Sequence, residues 1–171
     1  LALGNRIRGK LNVHCLQGSL TPDAATGEVP CVLIEGRKLL EGEACDCPAP
    51  GRLAIPAEDE PERQAAKDAL DPAFDCLCEI PQTTGDAVVS CQNDTRTAPT
   101  LNGQQVNGFC YVDGGASIGD PELSQDCLVK GADGDFEPGR QLRLLGAAVA
   151  KEDGALYLDE ATLKPVRGFA E

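Results

Sequence analysis

The sequence predicts a small, mainly β protein of the α+β class whose fold is held by disulfides. Nine cysteines are spread along 171 residues. Short strand-like segments separated by turn residues outnumber helical segments. The chain has four Phe, two Tyr and no Trp, so its apolar core is thin. Because apolar burial contributes only about 25 cal/mol per Å², such a chain needs further stabilisation, and native disulfides contribute about 2–5 kcal/mol each.

Charge and hydropathy exclude several classes of protein. The chain has 15 Lys+Arg against 28 Asp+Glu, a net charge of −13. A chain this acidic repels phosphate backbones, so no nucleic-acid partner is expected. No apolar run approaches the ~20 residues of a transmembrane helix. The first residues also lack the continuous apolar segment of a signal peptide. If the protein is secreted, its export signal is expected upstream of Leu1.

The periodicity predicts a helix over residues 1–13, where Leu3, Ile7 and Leu11 form one apolar stripe. This helix is expected to be the end of an upstream domain or to pack on this one. Residues 14–171 are predicted to form one cysteine-rich, β-rich domain. It carries a loop and helix insertion around 56–73, and a short helix is expected after Asp120-Pro121.

The strands are predicted from short apolar runs bounded by Gly, Pro, Asn or Asp. The segments 76–80 and 87–91 are separated by a Gly-containing loop and are expected to form a hairpin. The full set of predicted strands is 29–34, 76–80, 87–91, 106–112, 141–145 and 155–158.

Cysteine usage predicts a disulfide framework in an extracellular or cell-surface setting, because cytosolic proteins rarely carry this many cysteines outside metal sites. Nine is an odd number. At least one cysteine is therefore free, pairs with another chain, or has lost its partner to truncation. The spacing leaves the connectivity open. The disulfide candidates are Cys15, Cys31, Cys45, Cys47, Cys76, Cys78, Cys91 and Cys110.

A structural zinc site is the alternative interpretation of the two C-x-C pairs. Four thiolates can enclose a tetrahedral zinc ion, and the pairs Cys45/Cys47 and Cys76/Cys78 supply four. The usual zinc spacing is C-x₂₋₄-C, and a one-residue gap is harder to accommodate. The disulfide interpretation is preferred, and with it no metal and no cofactor are expected.

No catalytic constellation stands out. His14 is the only histidine, and a triad would have to be built on it. It lies beside Cys15, and sequence neighbours seldom face each other within reach. The protein is therefore expected not to be an enzyme.

The order of the cysteine motifs resembles a known family. It is similar to the cysteine-rich C-terminal region of exported von Willebrand factor A-type surface proteins of myxobacteria and related deltaproteobacteria. The motifs that carry the resemblance are LALGNRIRGKL (1–11), Cys15-Leu16, Cys31 in VPCVLIE, the Cys45 and Cys47 pair before Gly51-Arg52, CLCEIPQ (76–82), Cys91-Gln92, GFCYVD (108–113), GDPELSQDC (119–127) and RQLRLLG (140–146).

The resemblance implies a bacterial, exported chain attached to the cell surface, with no catalytic role. It further implies that 1–13 closes an upstream A-type domain. Two departures matter: Phe109 stands where the family has Trp, and no cysteine follows the last strand. The second departure implies that Cys127 is unpaired. The expected function is a structural or binding module, whose ligand is a protein or a cell-envelope glycan.

Overall fold

The chain forms two compact units. The structure is a computed structural model that describes residues 13–16, 18–47, 50–94, 99–125, 127–130, 132–148, 154–160 and 163–166. Unit 1 takes the described residues of Leu1–Val29 and Gln82–Val149, and unit 2 takes those of Pro30–Pro81 and Ala150–Glu171. Apart from Val13, the described residues of both units lie within residues 14–171, which the sequence predicts to be one cysteine-rich domain.

Strand residues outnumber helix residues, which confirms the predicted β-rich, disulfide-stabilised α+β class. The described α-helices are α1 (Glu60–Ala69) and α2 (Asp86–Asn93), and 3₁₀ turns cover Ala57–Asp59, Pro121–Ser124 and Gly146–Ala148. The described strands are β1 (Val13–Cys15), β2 (Cys31–Arg37), β3 (Cys76–Ile80), β4 (Thr100–Leu101), β5 (Gln104–Gln105), β6 (Gly108–Asp113), β7 (Leu128–Lys130), β8 (Phe136–Pro138), β9 (Arg140–Leu145), β10 (Gly154–Glu160) and β11 (Leu163–Val166). Among the described residues, no helix has the length and apolar character needed to span a bilayer.

Unit 1 is built on an antiparallel sheet in the order β1-β9-β6, and it also contains the short two-stranded sheets β4–β5 and β7–β8. Every residue of β6 is buried. Helix α2 contributes Cys91 to a buried cluster with Cys110, Val112 and Leu145. Arg143 of β9 donates hydrogen bonds to the carbonyl oxygens of Cys91, at 2.5 Å, and Asp94. These bonds satisfy carbonyls at the C-terminal end of α2, which the helix itself leaves unpaired.

A buried polar network holds the segment around Leu20 to β6. The Tyr111 hydroxyl donates to Asp113 Oδ2 at 2.7 Å and accepts from the Leu20 N–H at 3.0 Å. Ser19 donates to the same carboxylate oxygen at 2.7 Å. Burial acts to raise the pKa of Asp113, but hydrogen bonds from Ser19, Tyr111 and the Ala116 N–H outweigh it and lower that pKa overall. The network therefore favours the ionised form of Asp113.

Unit 2 is built on an antiparallel sheet in the order β11-β10-β2-β3. Directly opposed residues of antiparallel strands place their side chains on the same face. One face carries Glu35 and Arg37 of β2, opposite Cys78 and Cys76 of β3. We call this the sulfur face.

The opposite face of the same sheet is covered by α1, and we call it the helix face. Ile34, Ala66 and Leu70 form its buried cluster. Gly36 allows α1 to approach closely, since a Cβ there would lie 2.9 Å from Leu70 Cδ1. The predicted helical insertion is thus confirmed as a 3₁₀ turn followed by α1, with a proline in the first turn of the helix. The insertion supplies the apolar cover of the sheet.

Two predicted elements need correction, and most of a third lies outside the described residues. The segment 87–91 is predicted as a strand but lies in α2, so the expected hairpin with 76–80 does not form. Val88 and Cys91 are both buried, and their three-residue spacing suits a helix covering β6. The expected helix after Asp120 is a 3₁₀ turn. Residues 1–12 of the predicted N-terminal helix lie outside the described residues, and Val13 already belongs to β1.

Candidate functional site

The candidate site is a cluster of four cysteines on the sulfur face of unit 2. Strand alternation in β3 buries Cys76 and Cys78 on one side of the strand. Cys45 and Cys47 lie in the irregular segment after β2. Disulfides join Cys45 to Cys76 and Cys47 to Cys78, each across a sequence separation of 31. The segments 45–47 and 76–78 therefore run side by side in the same direction. We call the two disulfides that connect them the disulfide ladder, and each disulfide one rung.

The four sulfur atoms form one compact group. The Sγ atoms of Cys45 and Cys47 are 3.7 Å apart, and those of Cys76 and Cys78 are 3.8 Å apart. All four lie within 4.8 Å of one another. Cys76 and Cys78 are 0% exposed and Cys47 is 7% exposed, whereas Cys45 is an exposed residue. Solvent therefore reaches this group from the Cys45 side.

The sulfur face also carries buried charge. Arg52 donates two hydrogen bonds to the two carboxylate oxygens of Glu35, at 2.5 and 2.8 Å. Glu35 is fully buried, and the Arg52 guanidinium supplies the counter-charge that its carboxylate needs. Arg37 places Nη2 at 3.9 Å from Cys76 Sγ. Within the described residues, its Nε is buried without a hydrogen-bond partner. A guanidinium charge thus lies against the sulfur of Cys76.

Two carboxyl groups meet near the start of α1, on the helix face. Burial raises the pKa of Glu79 to about 7, and the neighbouring charge of Asp59, a hydrogen bond with it and the charge of Glu58 act in the same direction. Burial also raises the pKa of Asp59, as do the charges of Glu62 and Glu58. Near neutral pH, the pair therefore retains a proton that an exposed pair would lose.

The remaining disulfides lie in unit 1. Cys91 of α2 is joined to Cys110 of β6, and Cys15 at the end of β1 is joined to Cys127. The expectation that Cys127 is the unpaired cysteine is therefore wrong. Its partner, Cys15, precedes it by 112 residues, and cysteine spacing does not indicate a pairing over that separation. Cys31 was expected among the disulfides, but it is buried at the start of β2 and belongs to none of these four.

His14 lies in β1, opposite Leu142 of β9. Its side chain lies outside the described residues. The expectation that the chain is not an enzyme stays a prediction.

Several residues of the site were missed at the sequence level. The contact of Arg37 with Cys76 and the Glu35–Arg52 and Glu79–Asp59 pairs give no local signal in the sequence, because each joins residues that are distant along the chain. A scan against protein-family models, a search of curated proteins and a search of solved structures each find no match for the chain. The interpretation of the site therefore depends on its own geometry and chemistry.

Proposed function

We propose that this chain is a non-enzymatic extracellular module of an exported cell-surface protein, with a structural or binding role. The observation that carries the proposal is the set of four disulfides, which use eight of the nine cysteines and place two bridges in each unit. Disulfides persist in oxidising compartments and are rare in the cytosol. The high negative charge favours solubility.

The family resemblance supports a bacterial surface protein with an upstream domain in the same polypeptide. The ligand that we propose for the module is a protein or a cell-envelope glycan. The disulfide framework is compatible with that setting.

The test is a count of reactive thiols in denatured, unreduced protein, with metal analysis of the same sample. The protein is produced once by export into an oxidising compartment and once in a reducing cytosol. We expect about one reactive thiol per chain, no metal and a folded product from the exported sample. A folded cytosolic product with most of its thiols reduced would contradict the proposal.

A structural zinc module is the second candidate, and one observation favours it. A tetrahedral site with Zn–S bonds of about 2.3 Å has sulfur–sulfur edges of about 3.8 Å. The Cys45–Cys47 and Cys76–Cys78 sulfur separations are 3.7 and 3.8 Å. Zinc binds thiolates, however, and in this structure the four sulfurs are joined as disulfides. Reactive thiols at Cys45, Cys47, Cys76 and Cys78, together with about one zinc per chain, would favour this candidate.

A further inference from the structure

The Cys45–Cys76 disulfide is asymmetric in its access to solvent. Cys45 is exposed, whereas Cys76 is 0% exposed. A thiolate displaces one sulfur of a disulfide by attacking the other, so access decides which sulfur is attacked. An incoming thiolate therefore meets Cys45, and Cys76 is the leaving group.

The leaving group lies beside a permanent positive charge. Arg37 Nη2 is 3.9 Å from Cys76 Sγ, and Arg37 faces Cys76 directly across the β2–β3 pair. Guanidinium stays protonated at all physiological pH values. A cation at this distance stabilises a thiolate, and a more stable thiolate leaves faster.

We propose that Cys45–Cys76 is a thiol–disulfide exchange site that accepts two electrons from a dithiol, an activity beyond the structural role proposed above. The first thiolate of the dithiol bonds to Cys45 Sγ, the Cys45–Cys76 bond breaks, and its electron pair leaves on Cys76 beside Arg37. The second thiolate of the dithiol then attacks the mixed disulfide and releases Cys45 as a thiolate. The dithiol becomes a disulfide, and the protein gains two thiols after protonation.

The other disulfides provide internal references. Both members of Cys47–Cys78 and of Cys91–Cys110 are at most 7% exposed. Cys15–Cys127 has an exposed member, Cys15, and lies in unit 1. It therefore reports the reduction rate of an accessible disulfide in the other unit.

The experiment treats the full chain with limiting dithiothreitol, blocks new thiols with N-ethylmaleimide at set times, and maps the labelled cysteines by mass spectrometry. Arg37→Gln removes the charge, and Arg37→Lys keeps it. The control Arg63→Gln removes an exposed arginine whose ion-pair partner is Glu60. In the wild type, Cys45 and Cys76 are labelled first. Arg37→Gln slows their labelling about three- to tenfold, while Arg37→Lys and Arg63→Gln stay near the wild-type rate.

The direction of the change separates this effect from unfolding. An unfolded variant exposes all its disulfides and is reduced faster, whereas loss of the leaving-group charge makes one disulfide slower. A second measurement uses the wild type alone, treated with glutathione. Because glutathione has only one thiol, it cannot complete the second step, and its mixed disulfide is expected on Cys45. Three results would each overturn the proposal. Cys15 and Cys127 could be labelled earlier than Cys45 and Cys76, the reduction rate of Cys45–Cys76 could be unchanged in a folded Arg37→Gln variant, or glutathione could be trapped on Cys76.

Discussion

Removing one rung of the disulfide ladder should cost much less than half of what removing both costs. Cys45–Cys76 and Cys47–Cys78 close almost the same loop, each with a sequence separation of 31. The chain-entropy relation gives about 3.7 kcal/mol for closing a loop of that length, but only about 2 kcal/mol for the ring of about six residues between the rungs. Replacing Cys47 and Cys78 by Ala therefore costs about 2 kcal/mol while the other rung remains, and replacing all four costs about 6 kcal/mol.

The assay is equilibrium unfolding by guanidinium chloride under non-reducing conditions, with intact mass confirming the remaining disulfides. The two single-rung variants and the four-residue variant complete a double-mutant cycle with a coupling of about 2 kcal/mol. The matched control removes Cys91–Cys110 in unit 1, whose sequence separation is 19. Its loss should cost about 3 kcal/mol and add to the loss of a rung without coupling.

Additive costs for the two rungs, within about 0.5 kcal/mol, would refute this reasoning. If the cysteines instead paired locally, as Cys45–Cys47 and Cys76–Cys78, each single-rung variant would break both bridges. Each would then cost about as much as the four-residue variant. The cycle therefore tests the connectivity as well as the energy.

Three further predictions concern buried polar groups. Arg52→Ala leaves the charge of Glu35 buried and unpaired, so calorimetry should show a destabilisation of about 3–5 kcal/mol; an effect below 1 kcal/mol would contradict the burial of that carboxylate. Tyr111→Phe removes the bonds that the hydroxyl makes to Asp113 and to a backbone N–H, and should cost about 1–3 kcal/mol in chemical unfolding; an unchanged midpoint would contradict the network. Because the pKa of Glu79 is raised to about 7, its stabilising contribution is complete below the ordinary glutamate pKa and is lost as the pH rises through 7. Glu79→Gln, which mimics the protonated group, should therefore raise Tm by about 4 °C at pH 8 and hardly at pH 4, and the opposite pH trend would refute the shift.

The sequence was informative where local patterns decide the structure. Alternation predicted the strand 76–80, and acidic residues with Pro61 in the first turn predicted α1; the structure confirms both elements. The segment 87–91 was misassigned because a short apolar run fits a strand or a buried helix equally well. Packing of Cys91 against the β6 region decides for the helix there.

Disulfide connectivity could not be predicted, because it depends on contacts between distant segments. Cys15 and Cys127 have Cα atoms 5.3 Å apart although 112 residues separate them. Cys31 illustrates the converse. It begins β2, a strand that the sequence predicts, yet it belongs to none of the four disulfides. The position of Arg37 beside Cys76 likewise depends on the β2–β3 register.

The two faces of the unit 2 sheet place different demands on sequence change. On the helix face, α1 and β2 fit by shape, and a methyl group added at Gly36 meets Leu70. Substitutions there are limited by volume. On the sulfur face, covalent bonds hold the neighbouring segment, and buried charge is present beside them. In a library of variants selected for folding, the helix face should therefore retain the size of its side chains. The sulfur face should retain the C-x-C spacing and the balance of positive and negative charge.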